Sequence, residues 1–255
     1  MNVVVCAKYV PNPNGVPEMG KDNLLKREGV EGALDPGDEF GVEAALQVAE
    51  AQDGEVTVVS MGPEPANGAI RKALSMGAHK GIHISDDALR GADTLVTARV
   101  LAEAIKKGGF DLVIAGVEST DGYTGTLPQA LAELLGVPSI TFVRKLEVQE
   151  GKIKAERQTE LGYDEVESPL PAVVTVTAGA TNPRYPTLKG IMQAKQKPVD
   201  KLSTGDLGLN GDQVQATQKV SAVEAAPEKG AGEIVEDPDE GVTKAVALLS
   251  EAKVI

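Results

Sequence analysis

Short apolar runs alternate along the chain with segments in which apolar residues recur every three or four positions. The short runs predict β-strands over 3–7, 56–60, 82–84, 112–115 and 139–143. The recurring positions predict helices over 42–49, 66–74, 98–105 and 127–135, of which the second and fourth are closed by Gly77 and Gly136. Strands that are apolar throughout and alternate with helices are typical of a parallel sheet covered on both faces. The pattern therefore predicts an α/β, Rossmann-like, doubly wound fold with a mainly parallel sheet.

The pattern changes after Val143. Polar and apolar residues alternate through 146–148, 153 and 157–167, which predicts an antiparallel addition to the sheet. A buried strand over 172–176 follows, and then a loop rich in Gly, Asn and Pro leads into a short basic helix that ends near Lys197. This loop is predicted to expose one apolar side chain, Leu188, on a stiff platform.

The last part of the chain has a different character. Residues 199–239 show no regular pattern, and an amphipathic helix follows, with Val242, Ala245, Val246 and Leu249 on one face. Because such an arm would be disordered in an isolated domain, we expect it to pack on another subunit. The chain is thus expected to divide into an α/β domain over 1–198 and a C-terminal extended arm with its helix over 199–255.

Composition narrows the possible functions. The chain has 255 residues, a net charge of −13 and only 3% aromatic residues, with no Trp. The negative charge argues against a nucleic acid partner. A single Cys excludes an internal disulfide, and with two His residues in the chain no metal site is expected. No long apolar run is present, so membrane insertion is not expected and a cytoplasmic location is predicted.

Candidate chemistry lies where the parallel strands end, because ligands bind beyond the carboxyl ends of such strands. Four segments are predicted to meet there: 6–8, 35–38, 61–63 and 115–126. Asp35 suits a helix N-cap, with Pro36 at the first helical position. The fourth segment joins a strand to a helix through glycines and hydroxyl residues, a combination that can bind phosphate. On pattern alone, an ordinary strand-to-helix turn explains it equally well.

Standard enzyme motifs are absent from the sequence. No Gly-x-Gly-x-x-Gly follows the first strand, and neither a Walker Gly-Lys-Ser/Thr nor a Gly-x-Ser-x-Gly elbow occurs. Cys6 lies in a Val-rich strand and is predicted to be a buried, unreactive thiol. His79 and His83 are interpreted as core or solvated residues. A cluster of surface carboxylates, with one of them a helix N-cap, is the interpretation of Asp86, Asp87 and Asp93.

Residues 170–197, read as LPAVVTVTAGATNPRYPTLKGIMQAKQK, are similar to the signature segment of the β subunit of electron transfer flavoprotein. The resemblance extends over nearly the whole chain, from Val3 to Ile255, and the Glu-Ser-Thr-Asp-Gly stretch at 118–122 resembles bacterial members. It implies an adenine nucleotide α-hydrolase-like fold and an electron carrier without catalytic residues of its own. The non-bifurcating, AMP-containing class is the one that the Tyr-Pro-Thr-Leu-Lys-Gly-Ile-Met stretch resembles.

The family resemblance also implies sites and partners. The positions that would bind AMP are Cys6, Ala7, Asp35, Met61, Asp121, Gly122, Tyr123, Thr124, Gly125, Thr126, Gln129 and Ala132. Partner docking would use Tyr185, Leu188, Ile191 and Met192 in the loop at 182–197. An α subunit would hold most of the FAD and pack against the C-terminal arm. Electrons would pass from acyl-CoA and other dehydrogenases, as in fatty acid β-oxidation, to the electron transfer flavoprotein-quinone oxidoreductase.

Several alternatives stay open at this point. In a bifurcating electron transfer flavoprotein, a second FAD would replace AMP and the protein would react with NADH. A nucleotide-hydrolysing enzyme or an ATP-binding protein of the stress type could use a similar sheet, and a scaffold with an empty cleft is a third possibility. On its own, an apolar Leu188 could pack beneath its loop. Glu156 and Arg157 lie where the family has an acidic-basic pair near the flavin, but Gln158 replaces the following acid.

Overall fold

The computed structural model describes the chain from Met1 to Ile255 except for Glu150, Ala225, Ala226, Glu228 and Lys229. It contains two compact units, Met1–Ser221 and Ala222–Ile255. The strands are β1 (Asn2–Cys6), β2 (Tyr9–Pro11), β3 (Gly32–Leu34), β4 (Glu55–Met61), β5 (Lys80–Ile84), β6 (Leu112–Gly116), β7 (Ser139–Gln149), β8 (Lys152–Thr159), β9 (Gly162–Pro169), β10 (Ala172–Val176) and β11 (Val199–Leu202). The helices are α1 (Pro36–Ala51), α2 (Asn67–Met76), α3 (Thr94–Gly108), α4 (Leu127–Leu135), α5 (Leu188–Ala194) and α6 (Pro238–Glu251).

The first unit is built on a nine-stranded sheet with the order β11-β5-β4-β1-β6-β10-β7-β8-β9. The first seven strands in this order run parallel, and β8 and β9 extend the sheet as an antiparallel addition. One face is covered by α1 and α2 through a core that includes Val42 and Ile70. The opposite face is covered by α3 and α4 through a core that includes Leu101 and Leu131. The predicted doubly wound α/β fold is therefore confirmed.

The predicted strands and helices of this unit are all present, but two short additions were missed. A separate hairpin pairs β2 with β3. The prediction that 199–239 has no regular structure was wrong at its start, because β11 pairs in parallel with β5. The side chains of β11 are exposed or half buried, so its sequence carries no run of apolar residues. The compact unit also continues to Ser221, beyond the expected boundary at 198/199.

Two aspartates fasten the 203–218 segment to the rest of the first unit. The Oδ2 atom of Asp86 accepts hydrogen bonds from the amide (3.1 Å) and hydroxyl (2.6 Å) of Thr204. The Oδ2 atom of Asp93 accepts from the amide (2.7 Å) and hydroxyl (2.9 Å) of Thr217 and from the amide of Gln218 (3.2 Å). In both residues Oδ1 caps a helix start, and Asp93 is the N-cap of α3. The predicted N-cap role within this carboxylate cluster is confirmed.

The second unit contains the predicted C-terminal helix, α6. Its N-cap is Asp237, which accepts a hydrogen bond from the amide of Glu240 at 2.9 Å. Val242, Val246 and Leu249 are exposed along this helix. The helix therefore presents partly exposed apolar side chains.

Candidate functional site

The strand order creates a cleft at the carboxyl end of β1. The chain passes from β1 through α1 to β4 on one side, and it later returns to β6 on the other side of β1. This reversal is the topological switch point at which open α/β sheets bind ligands. The segment after β1 and the segment after β6 therefore face each other across the place where a ligand is expected.

Hydrogen bonds join three of the four predicted segments at this point. The amide of Lys8 donates to Oδ2 of Asp38 at 2.7 Å. The ammonium group of Lys8 donates to Oγ of Ser119 at 3.0 Å and to Oδ1 of Asp121 at 2.6 Å. The remaining segment, 61–63, begins at the last residue of β4. The carbonyl of Val59, on the same strand, accepts a hydrogen bond from the amide of Ala7 at 2.9 Å. The structure thus brings together segments 6–8, 35–38 and 115–126, three of the four that the sequence predicted to meet.

Asp35 connects the start of α1 to the loop after β6. Its Oδ1 atom accepts from the amide of Gly37 at 2.8 Å, which makes it the N-cap of α1, with Pro36 at the first helical position. Its Oδ2 atom accepts from the amide (2.7 Å) and hydroxyl (2.8 Å) of Thr120. Asp35 is completely buried, so these hydrogen bonds replace the water that the carboxylate loses. The predicted N-cap is confirmed, and the link to Thr120 is an addition.

Two titratable groups lie beneath the cleft. Burial, and secondarily the charge of Asp35, raise the pKa of Asp38 to about 7 against the hydrogen bonds from Lys8 and Gly116. Burial, with a contribution from Asp38, raises the pKa of Cys6 to about 12. Cys6 is therefore the buried, protonated thiol that the sequence predicted, whereas Asp38 was missed. In the sequence, the position of Asp38 in the first helical turn after the Asp35 N-cap was the signal that could have identified it.

Asp121 organises the positive charge of the site. Burial raises the pKa of its carboxyl group, but the charges and hydrogen bonds of Lys8 and Arg27 outweigh burial and leave the pKa below its ordinary value. Arg27 reaches this carboxylate from the loop between β2 and β3. Sequence reasoning missed Arg27, since nothing in the local pattern of that loop indicates a partner 94 positions away.

The turn between β6 and α4 has the geometry of an anion-binding loop. Tyr123 and Gly125 have positive φ angles of 48° and 62°, and Thr126 is the N-cap position of α4. No backbone carbonyl in the described residues accepts a hydrogen bond from the amides of Thr124, Gly125 or Thr126. Free amides at a helix start attract anions because they carry the positive end of the helix dipole.

Unsatisfied buried polar atoms lie at the same end of the sheet. Within the described residues, Oε1 of Gln129, Oδ1 of Asn67 and Oγ of Ser60 are buried without a hydrogen-bond partner. Buried polar atoms are normally paired, so unpaired ones at the edge of a cleft indicate a missing partner. Together with the free amides, they fit a polar ligand with an anionic end. Asn67 and Ser60 were not among the predicted site residues.

The histidines take structural roles. Nδ1 of His79 accepts a hydrogen bond from the amide of Val56 at 3.0 Å, and Nε2 of His83 lies 3.1 Å from the carbonyl oxygen of Gly62. His83 lies on β5 beside β4 and is completely buried, and its Nδ1 has no hydrogen-bond partner within the described residues. The interpretation of both as non-catalytic residues agrees with these contacts. Among the residues that the structure describes, no cluster of three or more metal-ligating side chains occurs.

The predicted AMP-binding residues lie around this cleft in two layers. Cys6, Ala7 and Ala132 are buried and belong to the cores beneath the strand ends. The exposed or half-buried ones, which border the cleft, are Met61, Asp121, Gly122, Tyr123, Thr124, Gly125, Thr126 and Gln129. The second layer is therefore the part of the predicted set that keeps some exposed surface, although Oε1 of Gln129 is itself buried.

The predicted docking segment is a separate surface at the start of α5. Leu188 is 84% exposed and Tyr185 is 92% exposed, and Met192 and Ile191 are exposed on the next turn. Thr187 caps α5 by accepting a hydrogen bond from the amide of Gly190 at 3.0 Å. Leu188 does not pack beneath its loop, so the expectation that the loop displays this side chain is confirmed.

The acidic-basic pair on β8, Glu156 and Arg157, forms ion pairs with residues of the two neighbouring strands. Glu156 accepts a hydrogen bond from Nε of Arg144 at 2.9 Å, and Arg157 lies 3.9 Å from a carboxylate oxygen of Asp164 on β9. The guanidinium of Arg144 also stacks over the ring of Tyr163, 4.5 Å from its centroid. These contacts are exposed and lie on the antiparallel addition.

Comparison with known proteins defines the class of this chain. Residues 22–207 match the family model described as the electron transfer flavoprotein domain. No helix among the described residues has the length and apolar character needed to cross a membrane.

Relatives identify the subunit. The chain is 42% identical to the electron transfer flavoprotein subunit beta of Mycobacterium tuberculosis, covering 100% of this chain and 99% of the relative. It is 38% identical to the corresponding subunit of Bacillus subtilis, over 93% of each chain. It is also 37% identical to the caffeyl-CoA reductase-Etf complex subunit CarD of Acetobacterium woodii, over 92% of each chain. The chain belongs to the electron transfer flavoprotein β-subunit family, whose members are electron-carrier subunits.

Proposed function

We propose that this chain is the β subunit of a heterodimeric electron transfer flavoprotein of the non-bifurcating, AMP-containing class. It accepts electrons from acyl-CoA and other dehydrogenases, as in fatty acid β-oxidation, and passes them to the electron transfer flavoprotein-quinone oxidoreductase. FAD, held mainly by the α subunit, supplies the redox chemistry when it is bound. The role of this chain is to bind and orient the cofactors and to dock on partner proteins, and none of its residues acts as an acid, base or nucleophile. A cytoplasmic location is part of the proposal.

The observation that carries the docking role is the exposure of Leu188 on a helix that is fixed to the body of the protein. A single exposed apolar side chain on a stiff support suits an interface with one anchor and weak surroundings. A carrier must dissociate quickly after each transfer, so a small interface is sufficient. Tyr185 and Met192 extend the same apolar surface, which places four exposed apolar residues within eight positions.

The Leu188→Ala variant tests this role in the FAD-loaded heterodimer. We expect reduction by an acyl-CoA dehydrogenase to slow about thirtyfold or more, because loss of an interface anchor costs about 2 kcal/mol or more. Flavin content should not change. Val16→Ala is the matched control, since Val16 is also exposed but lies far from α5 in sequence. Equal transfer kinetics in the Leu188→Ala variant and the control would contradict the assignment.

For the nucleotide, we assign a structural AMP to the cleft beyond β1 and β6. The amides of Thr124, Gly125 and Thr126 would hold the phosphate, and Gln129 would offer its unpaired Oε1 to the same ligand. Asp121 keeps Lys8 and Arg27 beside the turn, where their charges favour an anion. The role of Asp121 is thus to position cations rather than to contact phosphate.

The second candidate is a bifurcating electron transfer flavoprotein with a second FAD in place of AMP and with NADH as a reactant. The observation that favours it is the 37% identity to a subunit of a caffeyl-CoA reductase-Etf complex. Releasing and counting the nucleotides of the purified heterodimer separates the two candidates. One FAD with one AMP supports the first, and two FAD molecules without AMP support the second.

The α subunit is the proposed cover for α6. Apolar side chains that are exposed along a whole helix indicate a protein partner. Removing residues 222–255 should abolish co-purification with the α subunit, while the α/β unit keeps its far-ultraviolet circular dichroism. A truncated chain that still forms the heterodimer would contradict this part of the proposal.

A further inference from the structure

The docking helix α5 is anchored to α2 by reciprocal hydrogen bonds. The ammonium group of Lys197 donates to the carbonyl oxygens of Leu74 (3.0 Å) and Ala78 (2.6 Å) at the end of α2. In return, Arg71 of α2 donates to the carbonyl oxygens of Ala194 and Lys197 at the end of α5. Carbonyl groups at helix ends lack partners within their own helix, so each helix satisfies the end of the other.

The other end of the docking segment is held by ion pairs with α1. Arg184 donates from Nε (2.8 Å) and Nη2 (3.0 Å) to the two carboxylate oxygens of Glu43. It also donates from Nη1 (2.5 Å) and Nη2 (3.1 Å) to Glu50. Gln47 donates to the same Glu43 carboxylate at 2.9 Å. We call Arg184, Glu43 and Glu50 the Arg184 clamp.

The clamp fixes the backbone of the loop as well as a side chain. The amide of Arg184 itself donates to Oε2 of Glu43 at 3.1 Å. Glu43 is only 3% exposed, and it lies on α1, the helix that packs on β1 and β6. A buried carboxylate that loses its cation is strongly destabilised, so the closed arrangement is favoured as long as Glu43 is ionised. Bidentate pairing adds a defined orientation to that preference.

The residues that follow the clamp are those proposed to dock. Tyr185 is the next residue along the chain, and Leu188 lies one turn away at the start of α5. Because both side chains project into solvent, contacts of their own do not fix their position. Their direction relative to the body of the protein is therefore set by the clamp before them and the α2 anchor after them.

We propose that Glu43 and Arg184 are positioning residues for the docking of electron-transfer partners. The clamp holds Tyr185 and Leu188 in the arrangement that a dehydrogenase recognises, so binding does not have to order the loop. This inference rests on the proposed docking function of α5. Ordering a mobile loop on binding opposes association, so releasing the loop that carries these two side chains should weaken docking about tenfold.

The test uses the complete FAD-loaded heterodimer and an acyl-CoA dehydrogenase as electron donor. Glu43→Gln removes the charge while keeping the size of the side chain. Arg184→Lys keeps a cation beside Glu43 and serves if the first variant folds poorly. Lys201→Gln is the control, because Lys201 forms an exposed ion pair of 2.7 Å with Glu64 on the edge strand β11. Each variant is also reduced by dithionite, which reports on the flavin without docking.

We expect Glu43→Gln to raise the KM for the carrier about tenfold, with kcat at saturation within twofold of the unaltered heterodimer. Flavin content and dithionite reduction should not change, and amide exchange over 182–188 should accelerate. A merely structural role would leave KM unchanged once folding is intact. In a Leu188→Ala background, Glu43→Gln should add little, because the clamp acts through Leu188.

Failure of the inference and failure of the proposed function give different results. If Leu188→Ala raises KM and Glu43→Gln and Arg184→Lys do not, the clamp proposal is overturned and the docking function stands. If Glu43→Gln has the same effect with and without Leu188, the clamp does not act through the docking residues and the inference is also overturned. If Leu188→Ala leaves KM unchanged, both the docking assignment and the clamp proposal are wrong.

Discussion

Replacing Asp93 by Asn is expected to release the segment around Thr217 without unwinding α3. The two carboxylate oxygens of Asp93 do different work, since Oδ1 caps α3 at the amide of Val96 and Oδ2 accepts three donors from Thr217 and Gln218. The amide of Asn keeps an oxygen for the cap, but it presents N–H groups to the three donors. The cap therefore persists while the attachment of the segment is lost.

The free energy that this attachment contributes follows from the number of these hydrogen bonds and from their exposure to solvent. Hydrogen bonds to a charged group contribute about 1.5–3 kcal/mol each, and less at an exposed site such as this one. We therefore expect a total of about 1–3 kcal/mol, which corresponds to amide exchange that is roughly 10-fold to 100-fold faster over 214–221. Hydrogen exchange with mass spectrometry measures this directly. Asp87→Asn is the control, because no hydrogen bond in the described residues uses the Asp87 side chain.

The same attachment predicts a dependence on pH. Burial raises the pKa of Asp93, but the hydrogen bonds from Val96, Thr217 and Gln218 outweigh burial and leave the pKa below its ordinary value. A carboxyl group with a lowered pKa stabilises the folded arrangement above its ordinary pKa and loses that contribution as the pH falls through the lowered value. Protection of the segment should therefore decline in acid. Unchanged exchange over 214–221 in Asp93→Asn would refute the reasoning.

Three further predictions address the cleft and the docking helix. Because the pKa of Asp38 is raised to about 7, its own contribution to stability should fall by roughly 1 kcal/mol per pH unit between pH 4 and 7. The difference in urea-unfolding stability between the wild-type protein and Asp38→Asn should show this slope, and parallel pH profiles would contradict it. Gln129→Leu should leave the melting temperature nearly unchanged but lower the AMP retained after gel filtration, since its Oε1 has no protein partner in the described chain. Gly190→Ala should destabilise the protein by about 1–3 kcal/mol in thermal unfolding, because the added Cβ would lie 2.5 Å from the carbonyl oxygen of Ser75. An unchanged melting temperature would show that α5 moves freely.

The buried strands and long helices of this fold could be predicted because each carries its own periodic signal. The strand β6 is apolar at nearly every position and buried throughout, and α4 repeats its apolar residues until Gly136, which has a left-handed conformation. The short hairpin of β2 with β3 and the edge strand β11 were missed because strands of three or four residues are too short to carry a periodic pattern.

The candidate site, like the fold, has parts that could be predicted from the sequence and parts that could not. The segments that border the cleft could be predicted because the ends of parallel strands share one edge of the sheet. The ion pairs of Arg27 with Asp121 and of Arg184 with Glu43 join residues 94 and 141 positions apart. No local spacing encodes such a pair, so only the folded structure reveals it. These long-range charges are also the contacts that orient the turn and the docking segment.

The depth at which Cys6 lies has a practical consequence. Burial raises the pKa of Cys6 to about 12, so its thiol stays protonated at neutral pH, and the sequence contains no other cysteine. Maleimide dyes and peroxide should therefore leave the native polypeptide unmodified. A cysteine introduced on the surface would become a unique attachment point for a fluorophore or spin label, and binding of partner enzymes could be followed without first removing a background signal.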